Sequence, residues 1–147
     1  MATILIPTEF KEFLRLLSVH DVDYRLIGGY AVNYHGYPRT TADMDIWIGA
    51  DPSNHERMAA TLREFGFRNA TPELFRDPGS MVRMGVAPMR IQVLTEISGV
   101  DFARCLENRT IADIAGVPVS LIALDDLKTN KKASGRLKDL ADLEQLD

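Results

Sequence analysis

Phe10, Phe13, Leu14 and Leu17 recur at helical spacing, which predicts a first helix with one buried stripe. Pro7-Thr8 opens it, with Thr8 placed to cap its N-terminus, and His20-Asp21 closes it. Tyr24 to Ile27 is short, apolar and β-favouring, which predicts a strand. Gly28-Gly29 follows at once, and Tyr30 to His35 reads as a short helix ended by Gly36. After the Tyr37-Pro38 break, Asp43 to Ile48 alternates acid and apolar residues, the pattern of a half-buried strand with Met44, Ile46 and Ile48 in the core. Asp51-Pro52 starts a second long helix, with Ser53 and Glu56 as an alternative capping box, and Met58, Leu62 and Phe65 form its stripe. Between Phe67 and Ala87 the pattern suggests two strands around an Asp77-Pro78-Gly79 turn. Met89 to Thr95 reads as a strand and Asp101 to Asn108 as a short helix. Ile111 to Ala115 and Val117 to Leu121 read as two strands around Gly116. Leu124 to Ala133 and Leu137 to Leu146 are helical, separated by Gly135. The order αβαβαβββαββαα predicts an α/β (α+β) fold, a mixed sheet with helices packed on it.

Composition changes this picture little. The 147 residues suit one domain spanning 1–147, with 46% hydrophobic and 26% charged residues. A net charge of -4 argues against broad nonspecific nucleic-acid binding but leaves room for a local basic patch. Such a patch is offered by Lys128, Lys131, Lys132, Arg136 and Lys138, a run with no acid inside it. It reads either as a solvated helix face or as a surface for phosphate or RNA. The single Cys105 excludes an internal disulfide and fits a reducing compartment, so a cytoplasmic location is expected. Cys105 itself reads as a small buried hydrophobe. No apolar run is long enough to span a membrane, and residues 1–10 do not read as a signal peptide. His20, His35 and His55 have no zinc-like spacing, and His35 suits a helix end.

The candidate chemistry lies in three consecutive features: Gly28-Gly29, Arg39-Thr40-Thr41 and Asp43-Met44-Asp45. Glycines between a strand and a helix let a ligand approach the backbone, and a helix N-terminus favours phosphate. Asp43 and Asp45 are two residues apart on a strand, so both side chains point to one face. Two carboxylates on one face suit a hard cation such as magnesium or manganese, which completes its shell with water and substrate phosphates. A phosphate cradle beside a metal site is the working set for phosphoryl or nucleotidyl transfer. Each piece alone has a plainer reading, a tight turn for the glycines and a solvated edge for the aspartates. Trp47 shares the face of the two aspartates. It is expected either to flank the site and stack on a base or to pack at the edge.

Ile27-Gly28-Gly29, thirteen intervening residues and Asp43-Met44-Asp45-Ile46 resemble the signature of the DNA polymerase β-like nucleotidyltransferase superfamily. The Arg39-x-Thr41-x-Asp43-x-Asp45 run is similar to its small bacterial branch, which includes the AbiEii-type toxins. Lys131 to Asp139, with Asp142, resembles that branch's closing motif. The resemblance implies a mixed-sheet core that binds a nucleoside triphosphate with a divalent cation. It implies that Gly28 and Gly29 cradle the triphosphate, Asp43 and Asp45 hold metal, and Arg39 and Thr41 steady phosphate or the loop. Lys131, Arg136 and Lys138 would contact the nucleotide. It further implies transfer of a nucleoside monophosphate to a hydroxyl on RNA, a protein or a small molecule. The family places a third carboxylate on a later strand, where this chain has Gln92, an uncharged amide unable to take a proton at neutral pH. Glu96 shares the face of Gln92 but lies four residues on, ~13 Å along an extended strand. Two readings follow: an active nucleotidyltransferase with Gln92 in the catalytic set, or a binding-only protein of the same fold, such as a toxin–antitoxin partner. The oligomeric state is left open, with an edge strand near Ile111 to Leu121 able to pair with another copy.

Overall fold

The computed structural model describes residues 6–36, 43–85, 90–105 and 108–146. Among these residues six strands form one mixed sheet. They are β1 (Tyr24–Ile27), β2 (Met44–Ile48), β3 (Met81–Met84), β4 (Ile91–Leu94), β5 (Thr110–Ile114) and β6 (Val117–Leu121). Their order is β3-β4-β2-β1-β6-β5. The β2–β4 and β1–β6 pairs are parallel, and the others are antiparallel. Among the described residues five α-helices accompany the sheet: α1 (Thr8–Val19), α2 (Gly28–Tyr34), α3 (Pro52–Phe65), α4 (Leu124–Ser134) and α5 (Leu137–Gln145). The α/β architecture is therefore the one the hydrophobic pattern predicts. None of these helices is long and apolar enough to cross a membrane.

The predicted stripes are buried. Phe10, Phe13, Leu14 and Leu17 of α1 are fully enclosed, as are Met44, Ile46 and Ile48 of β2. Strand β2 sits third in the sheet, between β4 and β1, and all of its residues except Asp45 are buried. Helix α3 starts as expected: Asp51 accepts a hydrogen bond from the Ser53 backbone N–H at 2.9 Å, and Pro52 holds the first helical position. The capping-box alternative is not used.

Four local expectations change. Pro7, not Thr8, is the residue preceding α1, and Thr8 is already helical. Gly28 and Gly29 form the first turn of α2 instead of a loop before it, with Gly28 at φ 70°. No strand precedes the Asp77-Pro78-Gly79 turn. A single 3₁₀ turn, Pro72–Phe75, stands there, because Pro72 fits a first helical position and Phe75 buries its ring against the core. The short helix expected over Asp101 to Asn108 is likewise a 3₁₀ turn, Phe102–Cys105. At the β5–β6 hairpin both Ala115 (φ 54°) and Gly116 (φ 87°) take positive φ. This matches the tight turn that suits twisted strands.

Candidate active site

Strand β2 carries the two aspartates to one end of the sheet. Asp45 stands in register with Ile27 of β1 on one side and Gln92 of β4 on the other. Because Ile27 is followed directly by Gly28, the first turn of α2 is pressed against the Asp45 carboxylate. A Cβ on Gly28 would overlap Asp45 Oδ2, so glycine is required there both by its positive φ and by this close approach. Asp43 precedes the strand and is half-buried. Its Oδ2 accepts a hydrogen bond from Gln92 Nε2 at 3.1 Å and lies 3.9 Å from Arg90 Nη1.

Gln92 Oε1 in turn accepts from Arg83 Nε at 3.3 Å, and Arg83 is its antiparallel partner on β3. This network sets the amide orientation. Turned over, the Gln92 N–H groups would face the Arg83 donor and its carbonyl oxygen would face a carboxylate oxygen.

Asp45 is electrostatically stressed. Burial pushes its carboxyl up to about 6, the Asp43 charge adds to the rise, and Lys138, Lys131 and Arg136 hold it in check. Its Oδ1 is buried with no hydrogen-bond partner. An unpartnered buried carboxylate oxygen is costly, and a cation would remove that cost. Two hard oxygen donors on one face fit magnesium or manganese, which needs few protein ligands. Among the described residues, no group of three or more His, Cys, Asp or Glu side chains gathers as a metal site, so the donor set rests on this pair.

The aspartates open into a cleft of about 790 Å³. Gly28 and Gly29 form one wall, and Met81, Arg83, Arg90, Gln92, Leu94 and Glu96 form a second. The third wall is the α4–α5 corner, with Asn130, Lys131, Ser134, Arg136, Lys138 and Asp139. Gly135, at φ 67° and donating to Lys131 O at 3.1 Å, makes that corner. The basic run therefore divides. Arg136 and Lys138 are exposed on the cleft rim. Lys131 is buried, with Nζ 3.0 Å from Asp139 Oδ1 and 3.1 Å from Asp142 Oδ2. Asp139 also accepts from Arg136 Nε at 2.7 Å and from Ser134 Oγ. Burial opposes the Asp139 charge, but hydrogen bonds from Arg136, Ser134 and Lys131 and the Lys131 charge outweigh it, bringing its carboxyl down to about 2.

The structure thus brings Gly28, Gly29, Asp43, Asp45, Gln92, Lys131, Arg136 and Lys138 around one cleft. Arg39 and Thr41 lie outside the described residues. Trp47 does not flank the cleft. Its ring is buried edge-on against Phe102, centroids 4.9 Å apart, so the packing reading is the one observed. Phe102 also meets the wholly buried Arg25 guanidinium, 4.9 Å from its ring centroid. His35 stands at the C-terminal end of α2, and its Nε2 is 2.8 Å from the Ile122 carbonyl oxygen, just past β6. Cys105 is buried, and burial together with a hydrogen bond and charge from Asp126 pushes its thiol up to about 12, the opposite of a nucleophile. Glu96 lines the cleft from beyond the end of β4. Sequence reasoning missed Arg83 and Arg90 in the site. Strand register places Arg83, and Arg90 precedes β4 beside the start of β2; no local spacing signals either.

No protein-family model matches the sequence, and no curated protein matches it. Solved structures do match its fold. A provisionally assigned nucleotidyltransferase of Thermotoga maritima superposes with a TM-score of 0.64 at 12% identity, covering 92% of this chain and 88% of the other. ANT(2")-Ia in complex with adenylyl-2"-tobramycin gives 0.58 at 11% identity, over 95% and 86% of the two chains. A nucleotidyltransferase-like antigenic protein of Paracoccidioides brasiliensis gives 0.54 at 18% identity, over 94% and 74%. Over nearly its whole length, the chain has the fold of nucleotidyltransferases.

Proposed function

We propose that this chain transfers a nucleoside monophosphate from a nucleoside triphosphate to a hydroxyl acceptor, with Asp43 and Asp45 holding a divalent cation. The observation that carries the reading is Asp45 Oδ1, buried without a partner, beside the Gly28 turn and below a rim of Arg136 and Lys138. The bound cation would supply Lewis-acid neutralisation of the triphosphate. Gly28 lets the first turn of α2 close directly on the Asp45 carboxylate, and Lys138 and Arg136 face the anionic oxygens of the triphosphate. The acceptor hydroxyl loses its proton to solvent as its oxygen bonds to the α-phosphorus, the bond to the β-phosphate oxygen breaks, and pyrophosphate leaves. The adenylylated tobramycin bound to ANT(2")-Ia supports a small hydroxylated molecule as the first acceptor class to try, before RNA or protein.

The second reading, a protein that binds nucleotide and metal without turnover, is favoured by one observation: the residue facing Asp45 on β4 is an amide, Gln92. Under it a toxin–antitoxin partnership would follow from the resemblance to the AbiEii-type branch. Calorimetry of triphosphate binding with manganese or magnesium, alongside a pyrophosphate assay, tests both. Metal-dependent binding that disappears in the D43N/D45N double variant supports the site. Pyrophosphate release then supports transfer, and binding without release supports the second reading. No binding to the wild type would sink both.

A further inference from the structure

Three polar side chains form a chain across the sheet beside the aspartates: Arg83 on β3, Gln92 on β4 and Asp43 at the start of β2. The Gln92 carbonyl oxygen, the one atom of that side chain able to bind a metal, is taken by the Arg83 guanidinium at 3.3 Å. Its N–H, which repels a cation, is the group turned to Asp43. Arg90 adds a second guanidinium, 3.9 Å from Asp43 Oδ2. Positive charge of the protein's own thus stands on the side of Asp43 away from Gly28. A further divalent ion there would meet two guanidinium groups and an amide N–H.

From this arrangement we infer that the site is built for a single divalent cation, with Arg83 and Arg90 standing in for a second ion and facing the triphosphate oxygens. The inference rests on the nucleotide-binding reading above. Arginine suits the role, since its charge is permanent and its fork matches phosphate oxygens. Gln92 is then a positioning residue. It orients Asp43 through Nε2 and Arg83 through Oε1, and it contacts neither cation nor nucleotide.

Counting manganese tests this. The wild-type chain, saturated with manganese and a non-hydrolysable nucleoside triphosphate analogue, is read by electron paramagnetic resonance and by metal analysis after gel filtration. One manganese per chain is the expected result. The Q92D variant replaces the amide by a third carboxylate and is expected to bind two, and Q92E serves where Q92D does not fold. R83Q is expected to keep one ion and to bind the analogue about tenfold more weakly, the loss of one charge-assisted contact. Two manganese ions per wild-type chain would overturn the single-cation inference and leave the nucleotide-binding reading standing. No bound manganese and no analogue binding would overturn both. A single ion in both Gln92 variants would overturn the role given to Gln92. Unchanged affinity in R83Q would overturn the role given to that arginine.

Discussion

Two pairs of carboxylates lie in or beside the same cleft, and they differ in how fully the protein meets their charge. Asp139 and Asp142 close on Lys131, and Asp139 also receives Arg136 and Ser134, so their charge is met within the protein and Asp139 titrates near 2. Asp45, with Asp43 as neighbour, has a buried oxygen with no partner and titrates near 6. The first pair ties α4 to α5 around Gly135. The second leaves one buried carboxylate oxygen, Asp45 Oδ1, without a hydrogen-bond partner at the mouth of a cleft. A carboxylate that costs stability in isolation is the one to suspect of a ligand.

The largest test of this contrast is Lys131→Met. It strands Asp139 and Asp142 without their buried partner, and it is expected to cost about 3–5 kcal/mol of unfolding free energy in urea titrations. A loss below about 1 kcal/mol would show that the cluster is not structural. Asp45→Asn is expected to act in the opposite direction. The rise from 3.8 to about 6 corresponds to roughly 3 kcal/mol at pH 7, so metal-free Asp45→Asn should match or exceed the wild type in stability while losing metal-dependent triphosphate binding. A variant that unfolds more readily would assign Asp45 to the scaffold.

The two pairs should also separate along the pH axis. Asp45 has a raised folded-state pKa, so the folded chain holds its proton longer and stability falls as pH rises from about 4 to 6. Asp139 has a depressed one, so its contribution is complete above about 4 and is lost as pH falls toward 2, about 2–3 kcal/mol in all. Denaturation at a series of pH values with chelator present reads both slopes. Asp45→Asn should flatten the upper one and Asp139→Asn the lower one. Gly28→Ala comes next. Left-handed φ on alanine costs about 1–2 kcal/mol, and the new Cβ displaces Asp45, so thermal stability and triphosphate binding should fall together. Arg136→Ala sharpens the contrast least. Its side chain is 75% exposed, and its loss should change stability by less than about 1 kcal/mol.

The fold was largely legible in the chain because its signals are local. The stripe of α1, the alternation of β2 and the Asp51-Pro52 start each depend on neighbours within a few residues. The failures have the same origin. The segment before Asp77 looks strand-like by composition, but Pro72 and the burial of Phe75 make it a 3₁₀ turn. For Trp47 the chain leaves two readings open, and Phe102, from a distant segment, decides for packing. Lys131 looks like one member of a basic run, yet the Gly135 corner folds two carboxylates of α5 back onto it.

The sequence by itself determined that Asp43 and Asp45 share a face, since a strand repeats every two residues, and that two glycines follow the preceding strand. Only the tertiary structure decided which charges meet. It set Gln92 against Asp45 and Arg83 against Gln92 through sheet register, enclosed Lys131 between two aspartates, and left Asp45 Oδ1 without a partner. Pairing and burial depend on residues distant in the chain, and it is burial that turns an ordinary carboxylate into a site.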